Sequence, residues 1–288
     1  MPDQPLDYSA ATNAGHRRDN NEDALLSLPE NGLWVVADGM GGHEAGEVAS
    51  AIVRDTLLDQ RHNSLTQAIQ SSHQAVLEAA ANGEGAPGMG STIVALRSHK
   101  GEYEVAWVGD SRAYLWTHTA DGGRLERLTT DHSYVQMLLA SGAIAEEEVE
   151  HHPDKNIITQ CLGSHELREV RVDSVHGQWQ EHQWILLCSD GLTDELDDEA
   201  ITRLLYRSSS PGAAVDRLMQ AALDAGGRDN ITLQLVQSPL NPIPRWNTLK
   251  QWLPRLSART ASERVWPNLL LNGVLLASLA LVIYWVIP

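Results

Sequence analysis

The sequence predicts an α+β domain in which antiparallel sheets pack together and are covered by helices. A Pro-Glu-Asn-Gly turn between two short apolar runs predicts a β-hairpin of residues 24–28 and 33–37. A second hairpin is predicted for residues 92–97 and 102–107, around the turn at 98–101. Helical patterns follow the first hairpin and return late in the chain, so that each sheet has helices available to cover it.

The remaining elements follow from the same patterns. Val48, Ile52 and Leu58 recur at helical spacing in the first amphipathic segment. Pro211 stands near the start of the last helix, where its missing N–H costs nothing. The predicted helices are 46–58, 65–81, 198–206 and 212–225, and the later strands are 112–117, 184–188 and 231–236.

Composition excludes several classes of protein. The chain has 288 residues, 42% of them hydrophobic, which is enough to bury a sizeable core. Its formal net charge of −17 argues against nucleic-acid binding, because an acidic surface repels phosphate backbones. Two cysteines cannot form a disulfide framework, which fits a reducing compartment.

The last part of the chain differs from the rest. Residues 241–268 carry five basic side chains against the single acid Glu263, a net charge of about +4, which leaves about −21 for residues 1–240. Pro239, Pro242, Pro244 and Pro254 make residues 239–268 a stiff linker, or an interfacial segment in which Trp246 and Trp252 lie on anionic lipid. We therefore divide the chain into a domain at 1–238 and a juxtamembrane linker at 239–268.

An uncharged run of 19 residues, 269–287, follows the linker. It is long enough for a helix to span a bilayer, and Trp266 and Trp285 stand near its ends as interfacial aromatics do. The alternative is a buried core helix. No signal peptide is visible in residues 1–20. We expect a single C-terminal transmembrane anchor, with the basic linker keeping the domain on the cytoplasmic face of the membrane.

Acidic residues cluster at the predicted strand ends. Asp23 begins one strand of the first hairpin and Asp38 ends its partner, so antiparallel pairing places them opposite each other. Three further acids stand next to other predicted strands, namely Asp110, Asp190 and Asp229. Asp-Gly is a common turn dipeptide, which explains Asp38-Gly39 or Asp190-Gly191 singly. Five acids at strand ends favour a site for hard divalent cations such as Mg²⁺ or Mn²⁺.

The sequence resembles the PP2C (PPM) type of metal-dependent serine/threonine protein phosphatase, in its bacterial branch. The resemblance covers residues 8–237 and is carried by ordered motifs: GHRRDNNED at 15–23, VVADGMGGH at 35–43, GST at 90–92, VGDSR at 108–112, TDHS at 130–133, CSDGL at 188–192 and RDNIT at 228–232. It implies a four-layer α-β-β-α sandwich, agreeing with the elements above. It also implies a variable flap, which we place at 134–163.

The resemblance also implies a role for each matching residue. Asp38 would bridge two Mn²⁺ or Mg²⁺ ions, with the Gly39 carbonyl on one and Asp190 and Asp229 on the other. Asp110 would hold a third, weaker metal ion. Arg18 would bind the substrate phosphate, a task that suits a guanidinium fork. Two further acids, Glu22 and Asp23, would support the metal shell from behind.

These roles imply hydrolysis of phosphoserine and phosphothreonine on proteins by a metal-bridging hydroxide. We expect a monomer that opposes a serine/threonine kinase. The general acid stays open between His43, whose other interpretation is structural, and a metal-bound water. Three alternatives are a catalytically silent binding module, a phosphatase for other phosphate esters and an anchored scaffold. Intact Asp38, Asp190 and Asp229 argue against the silent module.

Overall fold

The computed structural model describes residues 6–41, 45–120, 122–149 and 151–240, all within the first of the chain's two units, Met1–Pro242. In these ranges no helix combines the length and the apolar character needed to cross a membrane. The predicted anchor at 269–287 lies outside the described residues, as do His43 and all but the first two residues of the predicted linker at 239–268.

Two antiparallel sheets form the centre of the described chain. The strands are β1 (Tyr8–Asn13), β2 (Asp23–Leu28), β3 (Leu33–Met40), β4 (Gly90–Ser91), β5 (Ile93–His99), β6 (Glu102–Val108), β7 (Arg112–Thr117), β8 (Arg124–Arg127), β9 (Asp173–Gln178), β10 (Gln183–Cys188) and β11 (Ile231–Gln237). One sheet has the order β1-β11-β10-β7-β8. The other has the order β2-β3-β5-β6-β9, with the short strand β4 paired to β3.

Helices cover both sheets. They are α1 (Ala45–Asp59), α2 (Leu65–Ala81), α3 (Tyr134–Ala140), α4 (Glu146–Val149), α5 (Asp190–Thr193), α6 (Asp198–Tyr206) and α7 (Pro211–Ala225). Hydroxyl and carboxylate side chains cap several of their starts. Ser64 caps α2 and Ser210 caps α7, where Pro211 occupies the first turn as the sequence predicts.

Three apolar clusters define the layers. The first lies between α1–α2 and one face of the β3 sheet, and includes Val35, Val53 and Ile69. The second lies between the two sheets, where Trp34 and Val94 meet Ile185 and Leu187. The third packs α6 and α7 against the outer face of the β11 sheet. These contacts explain the predicted arrangement of packed sheets covered by helix pairs.

The predicted hairpins and the four long helices are confirmed to within three residues at each end, the largest difference being at β3, which extends to Met40. Strands β1, β8 and β9 were not predicted from the sequence. All three lie at the edge of a sheet, and β9 alternates half-buried and exposed positions along Asp173–Gln178. Edge strands pack on few apolar neighbours, so their sequences carry a weaker signal than those of central strands.

Candidate active site

The first hairpin places two half-buried aspartates side by side. Strands β2 and β3 pair so that Asp23 lies directly opposite Asp38, and Leu28 lies opposite Leu33 at the turn. This confirms the register that the turn position predicts. A Pro29–Asn31 3₁₀ turn followed by Gly32 in the left-handed region closes the hairpin. Without a Cβ, Gly32 takes this conformation at little cost.

The other three predicted acids lie near Asp23 and Asp38, although each stands next to a different strand. Asp110 follows β6, Asp190 is the first residue of α5 after β10, and Asp229 precedes β11. The Asp38 carboxylate is close enough to Asp23, Asp110 and Asp190 for their charges to raise its pKa. Asp229 acts in the same way on Asp23 and on Asp190. The five acids therefore converge at the edge where both sheets end.

Burial perturbs these carboxyl groups strongly. Burial raises the pKa of Asp38 well above the ordinary value, and the charges of the neighbouring aspartates raise it further. Burial also raises the pKa of Asp23 to about 7, although hydroxyl donors that include Ser189 oppose the shift. The same cause raises the pKa of Asp110 to about 8 and that of Asp190 to about 6. Such values are costly for the fold and typical of functional sites.

Hydroxyl groups of β4 and the next residue hold Asp38 through its backbone. The Asp38 N–H donates to Thr92 Oγ1 at 3.2 Å, and the Thr92 N–H donates to the Asp38 carbonyl at 2.8 Å. Ser91 Oγ also donates to that carbonyl, at 3.1 Å. Thr92 Oγ1 is itself hydrogen-bonded to Ser111 Oγ, one residue after Asp110. These bonds fix the backbone from which the central carboxylate extends.

Gly39 lies where no larger residue fits. A Cβ at this position would stand 2.0 Å from the Gly46 carbonyl oxygen and 2.6 Å from that of Glu22. Its N–H donates to the Glu22 carbonyl at 3.1 Å. The Glu22 carboxylate packs against Gly46 at the start of α1, and burial raises its pKa. Glu22 therefore lies beside the start of α1 and close enough to Arg18 and Asp229 for their charges to act on its pKa.

Arg18 stands at the exposed rim of the site. Its Nη2 donates to Asp229 Oδ2 at 2.7 Å, with the two side chains 51% and 36% exposed. This bond, together with the charges of Glu22 and Asp38, raises the pKa of the guanidinium. The structure therefore places Arg18 beside the acids with an exposed cation, where an incoming phosphate can reach it.

Asn230 organises the loop that carries Arg18, and sequence reasoning missed this role. Its Nδ2 donates to the carbonyls of Ala14 and Asn20 at 3.0 and 2.9 Å, and its Oδ1 accepts from the Glu22 N–H at 2.8 Å. The side chain is 5% exposed. Its position directly after Asp229 was the available signal. A buried amide that hydrogen-bonds to three backbone groups holds those groups rigidly in place.

A second network, also missed, supports Asp110. His132 Nδ1 accepts from the N–H of Gly109 at 3.1 Å, and His132 Nε2 lies 3.3 Å from Asp173 Oδ2. This pattern assigns the ring proton to Nε2. The adjacent residue Asp131 receives a forked hydrogen bond from Arg112, 2.8 Å from Nη2 to Oδ2. Both residues of the Asp131-His132 pair therefore brace the turn that carries Asp110.

The donor set fits hard divalent cations. Among the described residues, no three His, Cys, Asp or Glu side chains form a ready metal cage. A cation would have to draw these oxygens together. Yet every donor at the centre is a carboxylate or carbonyl oxygen, and the buried Oδ1 of Asp23 has no hydrogen-bond partner. Uncompensated buried carboxylates are the environment that Mg²⁺ and Mn²⁺ stabilise.

Comparison with known proteins agrees with this geometry. Residues 12–225 match the family model described as protein phosphatase 2C. The serine/threonine phosphatase stp of Listeria welshimeri is 34% identical over 244 residues, which cover 80% of this chain and 94% of that protein. The serine/threonine phosphatase PstP/Ppp of Mycobacterium tuberculosis has a crystal structure similar to this one, with a TM-score of 0.73 and 33% identity, covering 81% of this chain and 98% of that one.

A further similar structure is the catalytic domain of PstP in complex with two manganese ions. It has a TM-score of 0.70 and 31% identity, and the match covers 81% of this chain and 97% of that one. The two sheets with their helices, and about a third of the residues, are thus shared with known phosphatases over most of the described chain. The chain belongs to the protein phosphatase 2C family.

Proposed function

We propose that this protein is a metal-dependent phosphatase that hydrolyses phosphoserine and phosphothreonine on proteins. The observation that carries the proposal is the convergence of five aspartates, four of them half-buried with raised pKa values, next to the exposed guanidinium of Arg18. Such a site offers oxygen ligands for cations and, beside them, a cation for a phosphate. The names of the relatives, serine/threonine phosphatases, support the substrate class.

The proposed metal ligands are the residues assigned from the motifs. Asp38, Asp190 and Asp229, with the carbonyl of Gly39, would hold two Mn²⁺ or Mg²⁺ ions, and Asp110 would hold a third, weaker one. When bound, such cations lower the pKa of water and neutralise charge on the phosphoryl oxygens. The two manganese ions in the similar PstP structure support this number.

The chain's own residues would bind and orient the substrate. The Arg18 guanidinium would exchange its contact with Asp229 for the phosphoryl oxygens, since a planar fork matches two of them at once. Asn230 keeps the Arg18 loop in place, and Thr92 and Ser91 keep the Asp38 backbone in place. Asp23 and Glu22 would hold the ligands from behind. Pre-organisation of this kind stabilises charge that develops in the transition state.

The test is phosphate release by the purified full-length chain from a phosphothreonine and a phosphotyrosine peptide. We expect release from phosphothreonine with Mn²⁺ or Mg²⁺, none with EDTA, and at least a roughly 100-fold loss in Asp190→Ala. Asp216→Asn, at an exposed position of α7, is the control and should retain full activity. No release with either metal would reject the catalytic proposal and favour a silent binding module. Equal release from both peptides would reject the proposed substrate class.

We further propose, from the sequence alone, that residues 269–287 anchor the domain at the cytoplasmic face of a membrane, where a monomer would reverse a serine/threonine kinase. The support is the uncharged run of 19 residues preceded by a segment of about +4. Protease added to right-side-out cells should leave the domain intact, whereas digestion would overturn this orientation. Recovery of the protein in the soluble fraction after lysis would reject the anchor.

A further inference from the structure

The flap at 134–163 is hydrogen-bonded to the turn that carries Asp190. Lys155 Nζ donates to Asp194 Oδ1 at 2.9 Å, and Asn156 Nδ2 donates to Asp194 Oδ2 at 3.2 Å. Asp194 directly follows α5, and its N–H donates to the Asp190 carbonyl at 2.7 Å. The Asp194 carboxylate therefore accepts hydrogen bonds from two consecutive flap residues. Asp194 also belongs to the same helical turn as Asp190, a proposed metal ligand.

The same turn is tied to the segment that carries Asp229. Arg228 Nη2 donates to the Asp194 carbonyl at 3.1 Å, and Arg228 Nε donates to Glu195 Oε1 at 3.0 Å. Arg228 precedes Asp229 in the chain. The end of α5 thus joins three parts of the molecule: the flap, the Asp190 turn and the lead into β11.

A cavity of about 300 Å³ lies between the parts that this contact holds together. The flap supplies Val149 and Asn156 to one wall, and the turn after α5 supplies Leu196 to the other. The cavity also borders on Asp110 and Asp190. The distance between its walls depends on where the flap meets Asp194.

The charges around the cavity are largely paired within the protein. Lys155 pairs with Asp194, Arg112 pairs with Asp131, and Glu195 pairs with Arg228. Lys155 and Asp194 are 38% and 32% exposed, and an ion pair of that exposure contributes little to global stability. Its removal should therefore change the position of the flap and leave the fold intact.

We propose that Lys155 and Asn156, acting through Asp194, are positioning residues that fix the width of this cavity and thereby favour peptide substrates over small phosphate esters. The inference rests on the proposed function. A phosphopeptide must contact both walls on either side of its phosphorylated residue, and walls held in place lower the cost of ordering it. A small aryl phosphate needs only Arg18 and the acids.

The test compares p-nitrophenyl phosphate with a phosphothreonine peptide, using Lys155→Met, Lys155→Arg and Asp194→Asn in the full-length chain. In Lys155→Met we expect kcat/KM for the peptide to fall about fivefold and kcat/KM for the ester to change less than twofold. Amide hydrogen exchange in the flap should become faster by a similar factor. Lys155→Arg should restore both values. The double variant Lys155→Met, Asp194→Asn should lose no more peptide activity than Asp194→Asn alone, because the two residues act as a pair.

Arg54→Met is the matched control. Arg54 forms a surface ion pair with Asp55 on α1, and its side chain is 40% exposed, close to the value for Lys155. It should change neither the substrate ratio nor flap exchange. Unchanged flap exchange in Lys155→Met, or an equal fall in activity for both substrates, would overturn the proposal. Failure of the unaltered chain to hydrolyse either substrate would reject the proposed function, whereas flap exchange would still show whether the contact holds the flap.

Discussion

Without divalent cations, Asp23 should destabilise the fold increasingly as the pH rises. Burial raises its pKa in the folded protein from the ordinary value of 3.8 to about 7. Between these values the folded chain keeps a proton that the unfolded chain has released. The stabilisation associated with that proton is therefore complete below pH 3.8 and is lost as the pH rises through about 7.

The size of the effect follows from the shift. Between pH 5 and pH 8 the folded group passes through its pKa while the unfolded group stays ionised, which corresponds to about 2 pKa units, or about 3 kcal/mol. Asp23 Oδ1 is shielded from solvent, but the residue as a whole is half-buried, so about 3 kcal/mol is the upper end of the expected effect. For a domain of this size, about 3 kcal/mol corresponds to roughly 8 °C in Tm.

The assay is calorimetric melting in EDTA at pH 5 and pH 8 of the unaltered protein and of Asp23→Asn. The amide keeps the Ser189 hydrogen bond and cannot ionise. The Tm advantage of Asp23→Asn over the unaltered protein should grow by roughly 8 °C from pH 5 to pH 8. Burial lowers the pKa of His73 and of His132, which acts in the opposite direction, but both histidines are present in both proteins and cancel in the comparison.

Two further measurements complete the test. Asp216→Asn, an exposed carboxylate on α7, should show no pH-dependent difference in Tm. Added Mn²⁺ at pH 8 should raise the Tm of the unaltered protein, because the cation compensates the buried charge. A Tm difference for Asp23→Asn that is the same at pH 5 and pH 8 would refute the reasoning, since it would mean that Asp23 does not titrate in this range.

Four other predictions concern single residues. Arg18→Ala should raise KM for a phosphothreonine peptide about tenfold or more in steady-state kinetics, and Arg18→Lys should recover only part of it. Asn230→Ala removes three buried hydrogen bonds and should lower the free energy of unfolding by about 2–4 kcal/mol in urea titrations. Gly39→Ala should cost more than about 3 kcal/mol by the same method, because its Cβ would meet the Gly46 carbonyl. Gly212→Ala, in an open helical position, should stabilise the fold by about 0.5–1 kcal/mol. Unchanged KM, or stabilities within experimental error, would contradict the respective assignments.

Local features of the fold could be predicted from the sequence. The turn at Pro29–Asn31 sets the register of the first hairpin, and side chains opposite each other in that register include Asp23 and Asp38. The long helices were predictable because their apolar faces pack on the sheets and their starts are capped, as at Ser64 and Ser210. In these cases the causes lie within a few residues of each other in the chain.

The convergence of Asp110, Asp190 and Asp229 on the hairpin acids was suggested by their strand-end positions, but it depends on how the two sheets stack. The stacking is set by the apolar cluster between the sheets, in which Trp34 and Ile185 belong to opposite layers. Contacts between residues far apart in the sequence therefore determine how the sheets stack. The sequence motifs therefore indicated the candidate site residues, whereas packing decided how close they lie and the burial that shifts their pKa values.

Some contributions became visible only in three dimensions. Asn230 reaches backbone groups about 210 positions earlier in the chain, and Lys155 meets Asp194 across the cavity. Neither contact leaves a periodic pattern or a turn signal, because a side-chain hydrogen bond between distant segments requires only one suitable residue on each. The sequence by itself determined the long helices, the central strands, the hairpin register and the candidate acids, since these depend on local propensity and spacing. The tertiary structure alone decided how the flap, the Arg18 loop and the acids are held together, since those contacts exist only once the sheets have packed.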